Sequence, residues 1–107
     1  MNFKVNKTNT APIRLYVDDI RNPVFSGLRD LVVAKTSAEA IEILKTQNVI
    51  ECSLDHDLGG DDTGYIVACW MEENNVWPKD GTFCHSANPI GRHRITAVIN
   101  AAKRRSI

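Results

Sequence analysis

Short apolar segments alternate with amphipathic helical segments along the chain, and this alternation constrains the fold more than any other feature. Each short segment is apolar and rich in β-branched residues, which favours a buried strand over a helix. The predicted strands cover residues 13–17, 31–34, 49–54 and 81–86. Strands that alternate with helices predict a compact α/β fold: a mostly parallel sheet of about four strands with helices on both faces.

Helices are predicted after the second, third and fourth strands. The first begins at a capping box in which Thr36 precedes Glu39 by three positions. The other two cover residues 64–74 and 90–105, where apolar side chains recur on one helical face. Residues 21–30, between the first two strands, are predicted to form a loop or a short helix.

Length and composition indicate one small globular domain. The chain has 107 residues, enough for a single hydrophobic core. We expect a domain over residues 13–107, preceded by a polar N-terminal extension over residues 1–12. Lys and Arg total 13 and Asp and Glu total 13, so no global field attracts the chain to nucleic acid or a membrane.

The sequence also argues against export and against a disulfide scaffold. No apolar run is long enough to span a bilayer, and the N-terminus lacks the apolar core of a signal peptide, so a cytoplasmic protein is expected. The three cysteines form no CxxC pair, and each lies in an apolar segment. They are expected to be small buried hydrophobes rather than disulfide partners or zinc ligands.

Polar side chains follow three of the predicted strands. In a parallel α/β sheet, ligands bind outside the carboxyl ends of the strands, so these side chains would meet at one edge if the three strands are neighbours. The groups are Asp18, Asp19 and Arg21 after the first strand, Asp55, His56 and Asp57 after the third, and His85, Ser86 and Asn88 after the fourth.

Four of these side chains are carboxylates, which would repel one another unless a cation or a shared proton relieved them. Oxygen ligands of this type suit Mg²⁺ or Mn²⁺, whereas added imidazoles would admit Zn²⁺ or a mixed site. The predicted metal ligands are Asp18, Asp19, Asp55 and Asp57. The simpler alternative is that an Asp after a strand only forms a turn or caps a helix, and Asp61 and Asp62 are interpreted as solvated loop residues.

The stretch SANPIGRHR, residues 86–94, leads from a strand end into a helix and predicts a phosphate site. Free backbone N–H groups and the helix dipole favour an anion there. Gly91 would permit close backbone approach, Arg92 could contact a phosphate bidentately, and Ser86 and Asn88 would add hydrogen bonds. Arg21 is a second candidate phosphate ligand. An ordinary strand-to-helix loop remains the alternative.

Three motifs in order, LYVDDIRNP, SLDHDLG followed by TGY, and HSANPIGR, resemble those of cyclic-phosphate processing receiver domains. The resemblance implies a CheY-like or flavodoxin-like fold and a role in processing cyclic phosphates of nucleotides or RNA ends. It matches Asp18 and Asp19 to the acidic pair that holds a divalent metal in receivers. Asp55, with Asp57 as its competitor, falls at the phosphoacceptor position, and Ser86 matches the hydroxyl residue after the fourth strand.

The sequence departs from ordinary receivers in two respects. The chain shows no fifth strand ending in a phosphate-binding Lys, which argues against a stable aspartyl phosphate. His56 and His85 are foreign to an ordinary receiver site, and imidazoles suit acid–base chemistry near neutral pH.

These observations predict a metal-dependent phosphoesterase that hydrolyses a cyclic phosphate of a nucleotide or RNA end. Asp55 and either His85 or, second, His56 would be catalytic, with the imidazole as general base or general acid. The alternatives are a non-catalytic receiver-like module for nucleotide binding or signalling and, less favoured, a phosphoacceptor at Asp55. Open sheet edges leave a homodimer as an option that no sequence feature decides.

Overall fold

The computed structural model describes residues 9–20 and 30–105 of the chain. Within them the strands and helices alternate as predicted and build a CheY-like α/β fold. The four strands are β1 (Asn9–Val17), β2 (Leu31–Ala34), β3 (Gln47–Leu54) and β4 (Thr82–Cys84); the three helices are α1 (Ser37–Thr46), α2 (Gly64–Asn74) and α3 (Pro89–Arg105).

The sheet is parallel throughout, with strand order β2-β1-β3-β4. Its register aligns the carboxyl ends of three strands, because Val17 pairs with Leu54 and Leu54 pairs with Cys84. The first, third and fourth strands are therefore neighbours, which is the arrangement that the predicted site requires.

One hydrophobic core lies between the sheet and the three described helices. Along β1, Ile13, Leu15 and Val17 are buried in this core, while Arg14 and Tyr16 alternate with them and point to the opposite face. The helices contribute Ala40, Leu44, Val67, Ala68, Met71, Ile95 and Ile99 to the same cluster. Full burial of a side chain such as Leu15 contributes about 1.5–3 kcal/mol. These three helices thus cover one face of the sheet.

The covering of the opposite face stays a prediction. The segment predicted as a loop or short helix, residues 21–30, falls almost entirely on residues 21–29, which lie outside the described part of the chain.

Two strands differ in length from their predictions. β1 begins at Asn9, so residues 9–12 belong to the sheet, although their polar composition favoured an extension; residues 1–8 lie outside the described residues. Pro12 is tolerated there because the register shifts beside it and β2 pairs with β1 only from Arg14 onward. β4 ends at Cys84 rather than residue 86, although the N–H of His85 still donates to the carbonyl of Leu54.

The start of α1 confirms the cap predicted at Thr36, and α2 has caps that were not predicted. Thr36 Oγ1 accepts a hydrogen bond from the backbone N–H of Glu39 at 3.1 Å. Thr63 plays the same part for α2, which closes at Asn75 in the left-handed conformation (φ 54°). Caps of this kind stabilise a helix by about 1 kcal/mol each. No helix in the described ranges has the length and apolar character needed to cross a membrane.

Candidate functional site

Backbone hydrogen bonds continue for one residue past the ends of the strands and fix where the polar side chains begin. The N–H of Asp55 donates to the carbonyl of Val17 at 2.9 Å, and the N–H of His85 donates to the carbonyl of Leu54 at 3.0 Å. The residues that follow β1, β3 and β4 are therefore held side by side at one edge of the sheet.

Three of the four predicted metal ligands converge at this edge. Asp18, Asp19 and Asp55 each offer a carboxylate oxygen, and these oxygens lie within 4.8 Å of one another. Asp18 has no solvent exposure and Asp55 is 9% exposed, so bulk water screens their repulsion poorly. Because all three donors are carboxylates, the group fits Mg²⁺ or Mn²⁺ better than Zn²⁺.

His85 contacts one member of this carboxylate group, Asp18. Its Nε2 is 3.1 Å from Asp18 Oδ2, and its Nδ1 is 2.7 Å from the hydroxyl oxygen of Ser53. The ring stacks on Tyr16 with centroids 4.2 Å apart. The other carboxylate oxygen of Asp18 accepts from the N–H of Ile20 at 3.0 Å. His85 and the backbone thus fix the orientation of Asp18.

His56 and Asp57 form a second imidazole–carboxylate pair. His56 Nδ1 lies 2.9 Å from Asp57 Oδ1, and this hydrogen bond is the main cause that holds the pKa of Asp57 below its ordinary value. The amide nitrogen of Asn88 adds a weaker contact, 3.4 Å from each oxygen of Asp57. The fourth predicted metal ligand therefore faces His56 and Asn88 and is absent from the group of three carboxylates.

The predicted phosphate cradle is an ordered helix start. The side-chain oxygen of Asn88 accepts from the backbone N–H of Gly91 at 3.1 Å. The backbone N–H of Asn88 donates to Ser86 Oγ at 3.1 Å. Gly91 is required here, because a methyl group on it would overlap the imidazole of His56. Arg92 is exposed in the first turn of α3. Arg21, the other predicted phosphate ligand, lies outside the described residues.

A cavity of about 450 Å³ opens beside the carboxylates and is called the acidic cavity below. Three of the lining residues are acidic and three are small or apolar: Asp19, Ile20, Asp55, Asp57, Gly59 and Ala87. Ile20 is 81% exposed and forms part of the rim. Neither His56 nor His85 is among the described residues that line this cavity, so Asp57 is the member of the two imidazole–carboxylate pairs that reaches it.

A family model of the cyclic-phosphate processing receiver domain matches residues 13–101, which include every element from β2 to β4 and all the strand-end residues above. The chain belongs to this family. No curated protein and no solved structure shows significant similarity to it.

Three structural supports of this receiver domain were not predicted as site residues. Tyr16 and Ser53 contact His85; no local signal marked them, because the same strands carry other polar residues, such as Arg14 and Glu51. Asp62, interpreted as a solvated loop residue, instead accepts hydrogen bonds from the N–H of Ser37 at 2.8 Å and of Thr63 at 3.1 Å. It therefore joins the loop after β3 to the start of α1, a contact between distant segments that no local pattern indicates.

A fourth support of the receiver domain is Gly64, the first residue of α2. Its N–H donates to the carbonyl of His56 at 2.8 Å, and a methyl group on Gly64 would overlap the backbone carbonyl of Asp55. This close approach packs the start of α2 against the loop that carries Asp55, His56 and Asp57.

Proposed function

We propose that this receiver domain is a metal-dependent phosphoesterase that hydrolyses a cyclic phosphate, either of a nucleotide or at an RNA end. The observation that carries the proposal is the convergence of Asp18, Asp19 and Asp55 within 4.8 Å, beside a cavity of about 450 Å³. Membership of the family supports the cyclic-phosphate substrate class.

Asp18, Asp19 and Asp55 would hold the divalent cation. When bound, Mg²⁺ or Mn²⁺ would neutralise charge on a non-bridging phosphoryl oxygen and lower the pKa of a bound water. Asp18 would be kept in its ligating orientation by His85 and by the N–H of Ile20. This assigns His85 a positioning role instead of the general-base or general-acid role that the sequence suggested.

The proton transfers fall to Asp57 and His56. Asp57 lines the cavity, and as a carboxylate it is ionised at neutral pH, in the form that accepts a proton. The hydrogen bond from His56 lowers its pKa and makes it a weak base, so a proton that it accepts would have to pass on to His56. Water would attack phosphorus and give its proton to Asp57 while the bond to one ribose oxygen breaks. The imidazole of His56, 2.9 Å from Asp57 Oδ1, would share that proton, which is finally delivered to the leaving ribose oxygen.

Phosphate contacts would come from the β4–α3 loop. Arg92 is exposed in the first turn of α3, and we expect it to contact an anion bound in front of that turn. Ser86 and Asn88 already hydrogen-bond within the loop, so we expect them to hold its shape, with Gly91 admitting His56. Arg21 remains a proposed phosphate ligand from the sequence.

The test is steady-state hydrolysis of 2′,3′- and 3′,5′-cyclic nucleotides and of an RNA with a 2′,3′-cyclic end, each with Mg²⁺ or Mn²⁺. Turnover should be lost in Asp55→Asn and reduced by about a hundredfold or more in Asp57→Asn, the range of a lost acid–base group. Asp61→Asn is the matched control, since Asp61 is exposed and outside the cavity lining. Turnover that survives Asp55→Asn would contradict the proposal.

The second candidate is a receiver-like module that binds a nucleotide without hydrolysing it, and it is favoured because neither His56 nor His85 is among the described residues that line the acidic cavity. Both nitrogens of His85 are engaged by Ser53 and Asp18, so this imidazole is not presented to the cavity. Thermal stabilisation by a cyclic nucleotide with a cation, lost in Asp55→Asn but without product formation, would identify the binding module.

A further inference from the structure

The acidic cavity has an apolar half, which the metal and phosphate proposed above do not use. Ile20, Gly59 and Ala87 line the cavity together with the carboxylates, and all three are exposed. The cavity volume of about 450 Å³ is in the range of small-molecule sites, and a cation with one phosphate group would occupy only part of it. The remaining volume borders these three apolar residues.

Ile20 is the largest residue of the apolar half. It is 81% exposed, more than any other large hydrophobic side chain in the described part of the chain. Its backbone N–H donates to Asp18 Oδ1 at 3.0 Å, so the residue is fixed beside the proposed metal ligands while its side chain lines the cavity. A β-branched side chain also loses little rotamer freedom when a ligand covers it. Ile20 therefore offers an ordered apolar surface next to the carboxylates.

The other two residues of the apolar half are small. Gly59 adopts φ 88°, a conformation that favours glycine, and a methyl group on it would lie 3.4 Å from Asp19 Oδ2. Ala87 directly follows Ser86, whose hydroxyl oxygen accepts the hydrogen bond that shapes the loop before α3. Because neither residue carries a large side chain, this half of the cavity stays open.

We propose that the apolar half of the acidic cavity binds the base of a nucleoside that carries the reacting phosphate, and that Ile20 contacts the face of this base. The inference rests on the proposed phosphate site, because Ile20 lines the same cavity as Asp19, Asp55 and Asp57. Only the ribose separates base from phosphate in such a ligand, so a phosphate at the carboxylates brings the base to the adjoining wall. Covering Ile20 then removes apolar surface from water, which favours binding.

The first experiment measures binding to the protein with saturating Mn²⁺ by isothermal titration calorimetry, which requires no turnover. Adenosine 3′-monophosphate carries a base, and glycerol 2-phosphate carries the same kind of phosphate ester without one. The nucleotide should bind at least about tenfold more tightly, a difference of about 1.4 kcal/mol. Equal affinities, or binding of neither compound, would overturn the base subsite.

Substitutions locate the base. Ile20→Ser should weaken binding of adenosine 3′-monophosphate about tenfold, so that the two compounds bind almost equally, whereas Ile20→Val should keep most of the preference. Both variants retain the backbone N–H that donates to Asp18. Ile66→Ser is the matched control, because Ile66 is also exposed, at 43%, but is not among the lining residues. An equal loss in Ile66→Ser, or a preference that survives Ile20→Ser, would refute the assignment.

Turnover separates this inference from the proposed hydrolysis. With Mn²⁺, kcat/KM should be at least about tenfold higher for adenosine 2′,3′-cyclic phosphate than for glycerol 1,2-cyclic phosphate, and Ile20→Ser should reduce this difference through KM. Equal kcat/KM for the two compounds would support the phosphoesterase and overturn the base subsite. No turnover of either, with the binding preference intact, would contradict the phosphoesterase and leave the base subsite supported.

A third compound, a dinucleotide that ends in a 2′,3′-cyclic phosphate, distinguishes the two sources of the nucleoside. A lower KM than that of the mononucleotide would identify an RNA end, and a higher KM would identify a free nucleotide. Either result supports the base subsite if Ile20→Ser raises both KM values, and unchanged KM values in that variant would overturn it.

Discussion

His85 Nε2 lies 3.1 Å from the Oδ2 atom of Asp18, a carboxylate with no solvent exposure. A buried carboxylate without partners is strongly disfavoured, so this contact stabilises the acidic group that the proposed metal needs. The ring is itself held by Ser53 and Tyr16, which gives the carboxylate a rigid support.

Replacing His85 should therefore damage metal binding and stability together. His85→Ala is expected to lower the free energy of unfolding by about 1–3 kcal/mol, because it removes the hydrogen bonds that Asp18 Oδ2 and the hydroxyl of Ser53 make to the ring, and to weaken Mn²⁺ binding. His85→Gln, whose amide nitrogen can reach Asp18, should recover part of both. Urea unfolding and Mn²⁺ titration measure the two effects. His93→Ala, on the exposed side of α3, is the control, and an equal loss there would contradict the positioning role.

Asp55→Asn should have opposite effects with and without a divalent cation. Without one, removing a charge from three carboxylates within 4.8 Å relieves repulsion and should raise the unfolding temperature. With saturating Mn²⁺, the parent protein should gain more stability than the variant, because only the intact group binds the ion tightly. Differential scanning calorimetry with and without Mn²⁺ measures both. Equal stabilisation by Mn²⁺ would mean that Asp55 is not a ligand.

Gly91→Ala should disrupt the contact between α3 and His56. The added methyl overlaps the imidazole, and overpacking of this kind costs about 1–3 kcal/mol. The double variant Gly91→Ala with His56→Ala removes the obstacle and should recover most of the loss. Urea unfolding of the two single variants and the double variant measures the coupling. Purely additive effects would show that the ring does not occupy this space.

Asp62→Ala should be destabilising although Asp62 is a loop residue. It removes the acceptor for the N–H groups of Ser37 and Thr63, with an expected cost of about 1–2 kcal/mol. The neighbouring exposed Asp61 offers a control of identical chemistry, and Asp61→Ala should change the unfolding free energy by less than about 0.5 kcal/mol. Equal changes in the unfolding free energy of the two variants, measured with urea, would contradict a stabilising link between Asp62 and α1.

Stability should fall at alkaline pH through Cys52. Burial raises the pKa of this thiol to about 12 from 9.0, so as pH rises the unfolded chain loses its proton first. The stabilising effect of the protonated thiol is complete below pH 9 and is lost progressively up to about pH 12. The slope is at most about 1.4 kcal/mol per pH unit. Cys52→Ala should show a shallower decline in urea unfolding across this range; parallel curves would refute the linkage.

The sequence was sufficient for the alternation of elements, since apolar strands and helix caps are local signals. It was also sufficient for the three carboxylates, because a parallel sheet aligns its strand ends. The sequence could not predict the direction in which the side chains after each strand point. Asp57, like Asp55, follows a strand, but its carboxylate faces His56 and Asn88. The ring of His85 faces Asp18. Side-chain orientation after a strand depends on contacts with distant segments, such as Ser53, which carry no local pattern.

The packing of His56 against Gly91 has a mechanical consequence. The loop after β3 and the loop after β4 are locked together by this contact and by the hydrogen bonds of Asn88 to Asp57. We therefore expect these two loops to move together as one wall of the acidic cavity. An opening that admits a bulky substrate is then expected at the opposite wall, at Asp19 and the exposed Ile20.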